Sequence, residues 1–146
     1  MKYHDRVAAM IAMALITTLL TGCASTNQGP GPTSLLLTHW EADDIGGQPV
    51  LSGEPPTLRF TDDQGQVNGY AGCNRFFGTA ELNGDRLSFG PLGVTRMACG
   101  EQRDAQEHRF LQALDQTRSY TFGGTTLSLH DETGGTRIRL TRLLAN

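Results

Sequence analysis

The sequence predicts an α+β fold that is mostly β, an antiparallel sheet of seven or eight short strands with one α-helix. Three observations support this prediction. Glycines interrupt the chain at short intervals after residue 35, and apolar and polar residues alternate between many of them. One long stretch around residue 110 instead lacks glycine and proline and has helical apolar spacing. Such interruption and alternation are typical of short, half-buried strands.

The strand predictions follow the alternation from one turn to the next. The segments are an apolar run over Leu35–Trp40, then Thr57–Phe60, Val67–Tyr70, Phe76–Leu82, Arg86–Phe89, Ser119–Phe122, Thr126–His130 and Arg137–Leu143. The dipeptide Asn83-Gly84 predicts a two-residue hairpin, because both residues tolerate positive φ. Ile138 and Leu140 alternate with charged residues in the last segment, so we expect one buried face there.

The predicted helix covers Glu101–Thr117. The apolar residues on its expected buried face are Phe110, Leu111 and Leu114, with Ala105 and Ala113 close to that face. One helix cannot cover a wide flat sheet. We therefore expect the sheet to curl around the helix or to close toward a barrel, which also protects its edges.

The N-terminal segment has the proportions of a secretory signal. Lys2 and Arg6 give it a positive start, and the uncharged stretch Val7–Leu20 follows. As a helix this stretch would reach about 21 Å, which is short of a hydrocarbon core of about 30 Å. We interpret residues 1–22 as a signal peptide and not as a membrane span.

Leu20-Thr21-Gly22-Cys23 resembles the lipobox of bacterial lipoproteins. The resemblance implies that Cys23 carries lipid and becomes the new N-terminus, and Ala24 after it favours the outer membrane, facing the periplasm. An ordinary signal peptide with a cysteine near its end is the alternative. Residues 24–34 are rich in Gly, Pro, Ser and Thr, which predicts a flexible tether after Cys23 and a single domain over residues 35–146.

Two cysteines remain for the domain, Cys73 and Cys99, and each lies beside a glycine. In an oxidising compartment such a pair is expected to form a disulfide. A zinc site and a redox-active pair are the alternatives. A zinc site would need a second pair of suitably spaced ligands, which the sequence does not offer. A redox-active pair normally has C-x-x-C spacing, which Cys73 and Cys99 do not have.

Two short motifs surround these cysteines. The first is Gly69-x-x-Gly72-Cys73-Asn74-x-x-x-Gly78, and the second is Thr95-Arg96-Met97-Ala98-Cys99. Together with Trp40 and Phe110 they resemble the META domain family of HslJ-like bacterial lipoproteins. The resemblance implies a lipocalin-like open barrel with one helix and the two motif cysteines paired. It implies an envelope or stress-response role and no defined catalytic activity, with structural roles for the motif residues.

The rest of the chain shows no catalytic, cofactor or metal motif. The net charge of −3 and the scattered arginines argue against nucleic-acid binding. Asn74 suits a left-handed or side-chain-capped turn. Arg75 and Arg96 either bond turn carbonyls and carboxylates, which we favour, or converge on an anionic partner.

We predict a monomeric, non-enzymatic envelope lipoprotein, held to the membrane by its N-terminal lipid, whose domain binds or supports another envelope component. A carrier of a small apolar ligand or lipid in a barrel cavity is the main alternative. An enzyme assembled from separated residues is a third hypothesis. The sequence does not identify the partner or the ligand.

Overall fold

Ten strands and one helix form the fold of residues 35–61 and 64–144, which a computed structural model describes. Cys23, with the predicted signal peptide and tether, lies outside the described residues. The elements are β1 (His39–Ile45), β2 (Gln48–Pro49), β3 (Thr57–Phe60), β4 (Gln66–Tyr70), β5 (Arg75–Asn83), β6 (Arg86–Phe89), β7 (Gly93–Val94), α1 (Glu101–Asp115), β8 (Ser119–Gly123), β9 (Thr126–His130) and β10 (Thr136–Leu143).

Eight of these strands form a closed antiparallel barrel, in the order β1-β3-β4-β5-β6-β8-β9-β10, with β10 pairing back to β1. The two-residue strands β2 and β7 add to β1 and β5. The predicted mostly-β fold with a curled sheet and one helix is confirmed. The ring is thinnest between β6 and β8, where one residue pair, Arg86 with Ser119, is in register.

Large side chains that are almost completely buried fill the barrel interior. They are Trp40, Phe60, Phe76, Phe110, Leu35, Leu58, Leu87, Leu114, Leu127, Leu129, Ile138 and Leu140. Helix α1 packs against β10, β1 and β6, which lie on opposite sides of the ring, so the helix closes one end of the barrel. Phe110 of α1 meets Phe76 of β5 with ring centroids 5.9 Å apart.

Several local predictions shift by one or a few residues. Asn83 pairs with Arg86, so the two-residue hairpin loop is Gly84-Asp85. Only Gly84 of these loop residues has positive φ, as in a turn with glycine at its first position. The first strand begins at His39 because a turn precedes it, and α1 ends two residues before the predicted Thr117.

The helix face is rotated slightly from the predicted one. Ala105 is exposed, which corrects its predicted place near the buried face. Gln106 takes part in the buried face instead, with Phe110, Ala113 and Leu114. The predicted burial of Ile138 and Leu140 is confirmed. No helix among the described residues has both the length and the apolarity that crossing a bilayer requires.

A single carboxylate organises the turn between β9 and β10. Asp131 Oδ1 accepts hydrogen bonds from Thr133 Oγ1 at 2.7 Å, Thr133 N at 2.9 Å and Gly135 N at 2.9 Å. Its Oδ2 accepts from Arg137 Nε at 2.7 Å. The Thr133 side chain, the backbone donors and Arg137 lower the pKa of Asp131 from 3.8 to about 2. The charged form of this carboxyl therefore stabilises the turn.

We expect Asp131→Asn to lower the free energy of unfolding at pH 7. A carboxyl whose pKa is lowered by folding stabilises the native state at pH values above its ordinary pKa of 3.8. This contribution is lost as the pH falls through about 2. The difference between Asp131→Asn and wild type should therefore shrink as the pH is lowered from 4 toward 2, measured by urea unfolding at each pH. Glu132→Gln, an exposed neighbour, is the matched control. A difference that does not depend on pH would contradict this assignment.

Candidate functional site

The two motifs meet at one disulfide. Cys73 follows β4 and Cys99 precedes α1, and their sulfurs are bonded with the Cα atoms 5.8 Å apart. The predicted pairing is present in the structure. The bond ties the β4–β5 turn to the segment that leads into the helix. Cys73 is buried, whereas Cys99 is partly exposed.

Asn74 is the centre of the hydrogen bonds around this disulfide. Its side chain is buried, and Oδ1 accepts hydrogen bonds from Met97 N at 2.7 Å and Thr95 Oγ1 at 3.0 Å. Nδ2 donates to Met97 O and to Glu107 Oε1, each at 3.1 Å. The backbone N–H of Asn74 donates to Glu107 Oε2 at 2.6 Å. One amide side chain therefore fixes the second motif and the helix to the first motif.

This geometry is side-chain capping, one of the two roles expected for Asn74. The other is not adopted, because among the described residues other than glycine only Leu37 has positive φ. Thr95 acts through its hydroxyl and Met97 through its backbone, while the Met97 side chain is 61% exposed.

The arginines of the motifs do not take the structural role that we favoured. Arg75 and Arg96 are exposed, and neither guanidinium hydrogen-bonds or ion-pairs with the residues that the structure describes. The expectation that these side chains bond turn carbonyls or a carboxylate is therefore not met. The side chains also do not line one cleft together, because Arg75 lines the cleft beside the disulfide and Arg96 does not.

Close approach explains the motif glycines. A Cβ on Gly69 would lie 2.0 Å from the Thr57 carbonyl oxygen, and Gly72 has φ of +109°. A Cβ on Gly78 would lie 2.7 Å from a Leu92 methyl carbon. Any larger residue at these three positions would clash or be strained, so their role is structural.

A charged network lies beside the disulfide. Arg103 of α1 forms an ion pair with Glu54, and its Nε donates to the Gly72 carbonyl at 2.9 Å. The Tyr70 hydroxyl lies 2.6 Å from Glu54 Oε2 and 2.8 Å from Gly72 O, and it accepts a hydrogen bond from Arg103. The Tyr70 hydrogen bond and the Arg103 charge lower the pKa of Glu54. Burial and the Glu54 hydrogen bond raise the pKa of Tyr70.

These groups surround an open cleft of about 510 Å³, which we call the disulfide cleft. Its lining residues are Glu54, Tyr70, Cys73, Arg75, Thr95, Met97, Cys99 and Arg103. The cleft offers the guanidinium of Arg75, which has no partner among the described residues, a second guanidinium paired with Glu54, and the exposed thioether of Met97. An anionic group next to an apolar one complements this arrangement.

Metal chemistry does not fit the same cluster. Cys73 Sγ, Cys99 Sγ and an Asp104 carboxylate oxygen lie within 4.8 Å of one another. Because the sulfurs are bonded to each other, they are not thiolates, and thiolates are the form in which cysteine binds zinc.

Sequence reasoning missed the helix residues that complete the site. Arg103, Gln106 and Glu107 lie seven, four and three positions before Phe110. Helical spacing places these positions on the Phe110 side of the helix. Gln106 is buried and accepts a hydrogen bond from Leu51 N at 2.6 Å. Extending the apolar stripe toward the start of the helix was the signal that could have found them.

The fold and the site together define a small closed β-barrel domain, covered at one end by a helix and braced by a disulfide between two glycine-flanked turns. The chain matches the META domain over residues 33–142. It therefore belongs to the META domain family.

A curated relative agrees with this assignment, and two solved structures share the fold. The chain is 31% identical over 116 residues to heat shock protein HslJ of Escherichia coli K12, covering 78% of this chain and 74% of that protein. An NMR structure of a protein from Burkholderia xenovorans has a TM-score of 0.63 at 23% identity, with 99% and 100% of the two chains covered. A second NMR structure has a TM-score of 0.62 at 23% identity, covering 77% and 94%. At this identity the two structures support the fold alone.

Proposed function

We propose that this chain is a non-enzymatic envelope lipoprotein that binds an acidic segment of another envelope component in the disulfide cleft. The observation that carries the proposal is the Arg75 guanidinium, which has no hydrogen-bond or ion-pair partner among the described residues and lines the same cleft as Arg103. A guanidinium pairs well with carboxylates, and arginine and methionine are enriched at protein interfaces. In the proposed complex, the partner's carboxylates pair with Arg75 and compete with Glu54 for Arg103.

The rigidity around the cleft supports binding by a preformed surface. The disulfide holds one side, and Asn74 holds the backbone of Met97 on the other. A preorganised surface loses little conformational freedom when a partner binds, which increases affinity.

The packed interior favours this surface over a ligand carried inside the barrel. Trp40, Phe60 and Phe110 are each fully buried in the core. A carrier would have to displace such side chains to make room, at a substantial cost in packing. The heat-shock name of the Escherichia coli relative supports a role for this protein under envelope stress.

The proposed location is the periplasmic face of the outer membrane, with lipid on Cys23. We expect Cys23→Ser to abolish labelling by a radioactive or clickable fatty acid and to move the domain out of the membrane fraction. Ser25→Ala is the matched control, because it changes a residue next to the proposed anchor and leaves Cys23 and the disulfide intact. A Cys23→Ser protein that still carries label and still sediments with membranes would contradict the anchor.

Site-specific photo-crosslinking in living cells tests the binding role. With the photoreactive residue at Met97, we expect a discrete adduct that Arg75→Glu removes, since charge reversal repels an acidic segment. Placing it at exposed Glu132 should not give that adduct, and Arg139→Glu, outside the cleft, should leave the adduct from Met97 intact. An adduct from Met97 that survives Arg75→Glu would contradict the proposal.

A further inference from the structure

A second surface carries exposed leucines beside arginines. Leu37 is 78% exposed and Leu144, the last described residue, is 77% exposed. Both line a pocket of about 350 Å³, to which Arg59 and Arg142 also contribute. The lining residues include no acidic side chain. We call this surface the leucine–arginine patch.

The exposure of Leu37 is built into the turn that precedes β1. Leu37 has φ of +56°, a conformation that leucine rarely adopts. Leu35 and Thr38 on either side are buried, the Thr38 hydroxyl donates to the Leu35 carbonyl, and Trp40 Nε1 donates to that hydroxyl at 2.7 Å. The buried residues anchor the turn, and the strained residue between them projects a large apolar side chain into solvent.

The charged side chains that line the pocket, Arg59 and Arg142, are both positive. They form no ion pair with the described residues, and the Arg142 guanidinium carbon lies 6.0 Å from the Trp40 ring centroid. Burial and the nearby Arg59 lower the pKa of His39, which also lines the pocket, while Glu41, outside the lining, acts in the opposite direction. Basic and apolar groups side by side complement an anionic phospholipid surface.

The patch lies where the domain joins its proposed anchor. Residue 35 is the first described residue, twelve positions after Cys23. The tether that the sequence predicts would have a root-mean-square span of about 20 Å over these twelve positions and a maximum of about 40 Å. A domain held this close to a bilayer meets it at high effective concentration.

We propose that the leucine–arginine patch docks the domain onto the anionic phospholipid surface of the membrane that holds its anchor. Leu37 and Leu144 enter the boundary between headgroups and acyl chains, and Arg59 and Arg142 bind lipid phosphates. The opportunity to dock rests on the proposed lipid on Cys23, whereas the chemistry of the patch does not. Docking would fix the orientation of the disulfide cleft relative to the membrane.

The only tryptophan of the chain provides a probe without a label. Trp40 lies next to the patch, because its indole N–H donates a hydrogen bond to the hydroxyl of Thr38, which lines the pocket. The purified protein is mixed with phosphatidylglycerol-containing vesicles whose acyl chains carry bromine, a short-range quencher of tryptophan fluorescence. We expect quenching in the wild type and less quenching with phosphatidylcholine alone.

Variants of the patch decide the inference. Leu37→Asn with Leu144→Asn should remove most of the quenching, and asparagine tolerates the positive φ at position 37. Arg59→Gln and Arg142→Gln should each weaken docking by about fivefold. Phe77→Ser and Arg139→Gln, an exposed phenylalanine and an arginine outside the patch, should quench like the wild type. Tryptophan spectra without vesicles show whether each variant keeps its fold.

Wild-type protein that is not quenched, or patch variants that are quenched as strongly as wild type, would overturn the docking inference. Mass analysis of Cys23 in the same samples reports the anchor separately. Missing lipid on Cys23 with patch-dependent quenching would contradict the anchor and support docking. Lipid on Cys23 without patch-dependent quenching would support the anchor and contradict docking.

Discussion

Replacing both Cys73 and Cys99 by alanine should lower the free energy of unfolding by about 3–4 kcal/mol. The two residues are 26 positions apart, and a cross-link over a loop of this length stabilises the native state by about that amount in the chain-entropy model. The loss is large because a domain of this size is stable by only about 5–15 kcal/mol. Urea unfolding of the oxidised wild type and of the double variant measures the difference.

Reduction provides a control that does not depend on the substitutions. A reductant should destabilise the wild type by a similar amount and leave the alanine variant unchanged. The double variant Cys73→Ser with Cys99→Ser should lose more free energy of unfolding than the alanine pair, because position 73 is buried and serine would place a hydroxyl there. A wild type that unfolds at the same urea concentration with and without reductant would contradict the role of the disulfide.

Replacing Asn74 by alanine should lower the free energy of unfolding by about 3 kcal/mol or more. The change removes every side-chain hydrogen bond of Asn74 and leaves the Met97 N–H, the Met97 carbonyl and part of the Glu107 carboxylate without their partner. An unsatisfied buried polar group costs about 1–3 kcal/mol, and more when it is charged. Chemical unfolding monitored by circular dichroism measures the change.

Two further variants separate the parts of this effect. Asn68→Ala, at an exposed asparagine of β4, should change stability by less than about 0.5 kcal/mol. Asn74→Asp places a second carboxylate against Glu107, so repulsion between the two carboxylates should make this variant destabilising at pH 7. An Asn74→Ala protein as stable as wild type would show that the hydrogen-bond network does not hold the two motifs together.

The fold was predictable where a local pattern determines it. Thr57–Phe60 and Thr126–His130 are predicted to the residue because alternation and turn residues bound them on both sides. The two-residue strands β2 and β7 are too short to show a period, and they form because a longer neighbour offers backbone partners. Pairing of β1 with β10 depends on segments far apart in sequence, which no local pattern reports.

The site was predictable only in part for the same reason. The glycines and cysteines could be identified because few other residues can adopt the same backbone conformation or form a disulfide, so their presence in a short motif is informative. Helical spacing could have placed Arg103 and Glu107 on the Phe110 side of the helix, but it could not reveal their roles, because tertiary contacts with Glu54 and Asn74 give these side chains their roles. For Arg75 and Arg96 the sequence suggested a structural role that the structure lacks, since their guanidinium groups form no hydrogen bond within the part of the chain that the structure describes.

The motifs therefore divide into two sets of residues with different expected phenotypes. Asn74, the disulfide and the glycines build the surface, while Arg75 and the Met97 side chain are available to a partner on it. Substitutions in the first set should lower stability and binding together. Substitution of Arg75 should lower binding alone.

The most direct measurement compares partner capture and stability in one series of variants. Crosslinking yield in cells, with the photoreactive residue at Met97, is determined for Arg75→Gln and for the control Arg139→Gln, together with the free energy of unfolding of each protein. The cleft account predicts that Arg75→Gln loses most of the adduct while its stability stays within about 0.5 kcal/mol of wild type. Undiminished adduct from Arg75→Gln, or a loss matched by Arg139→Gln, would contradict it.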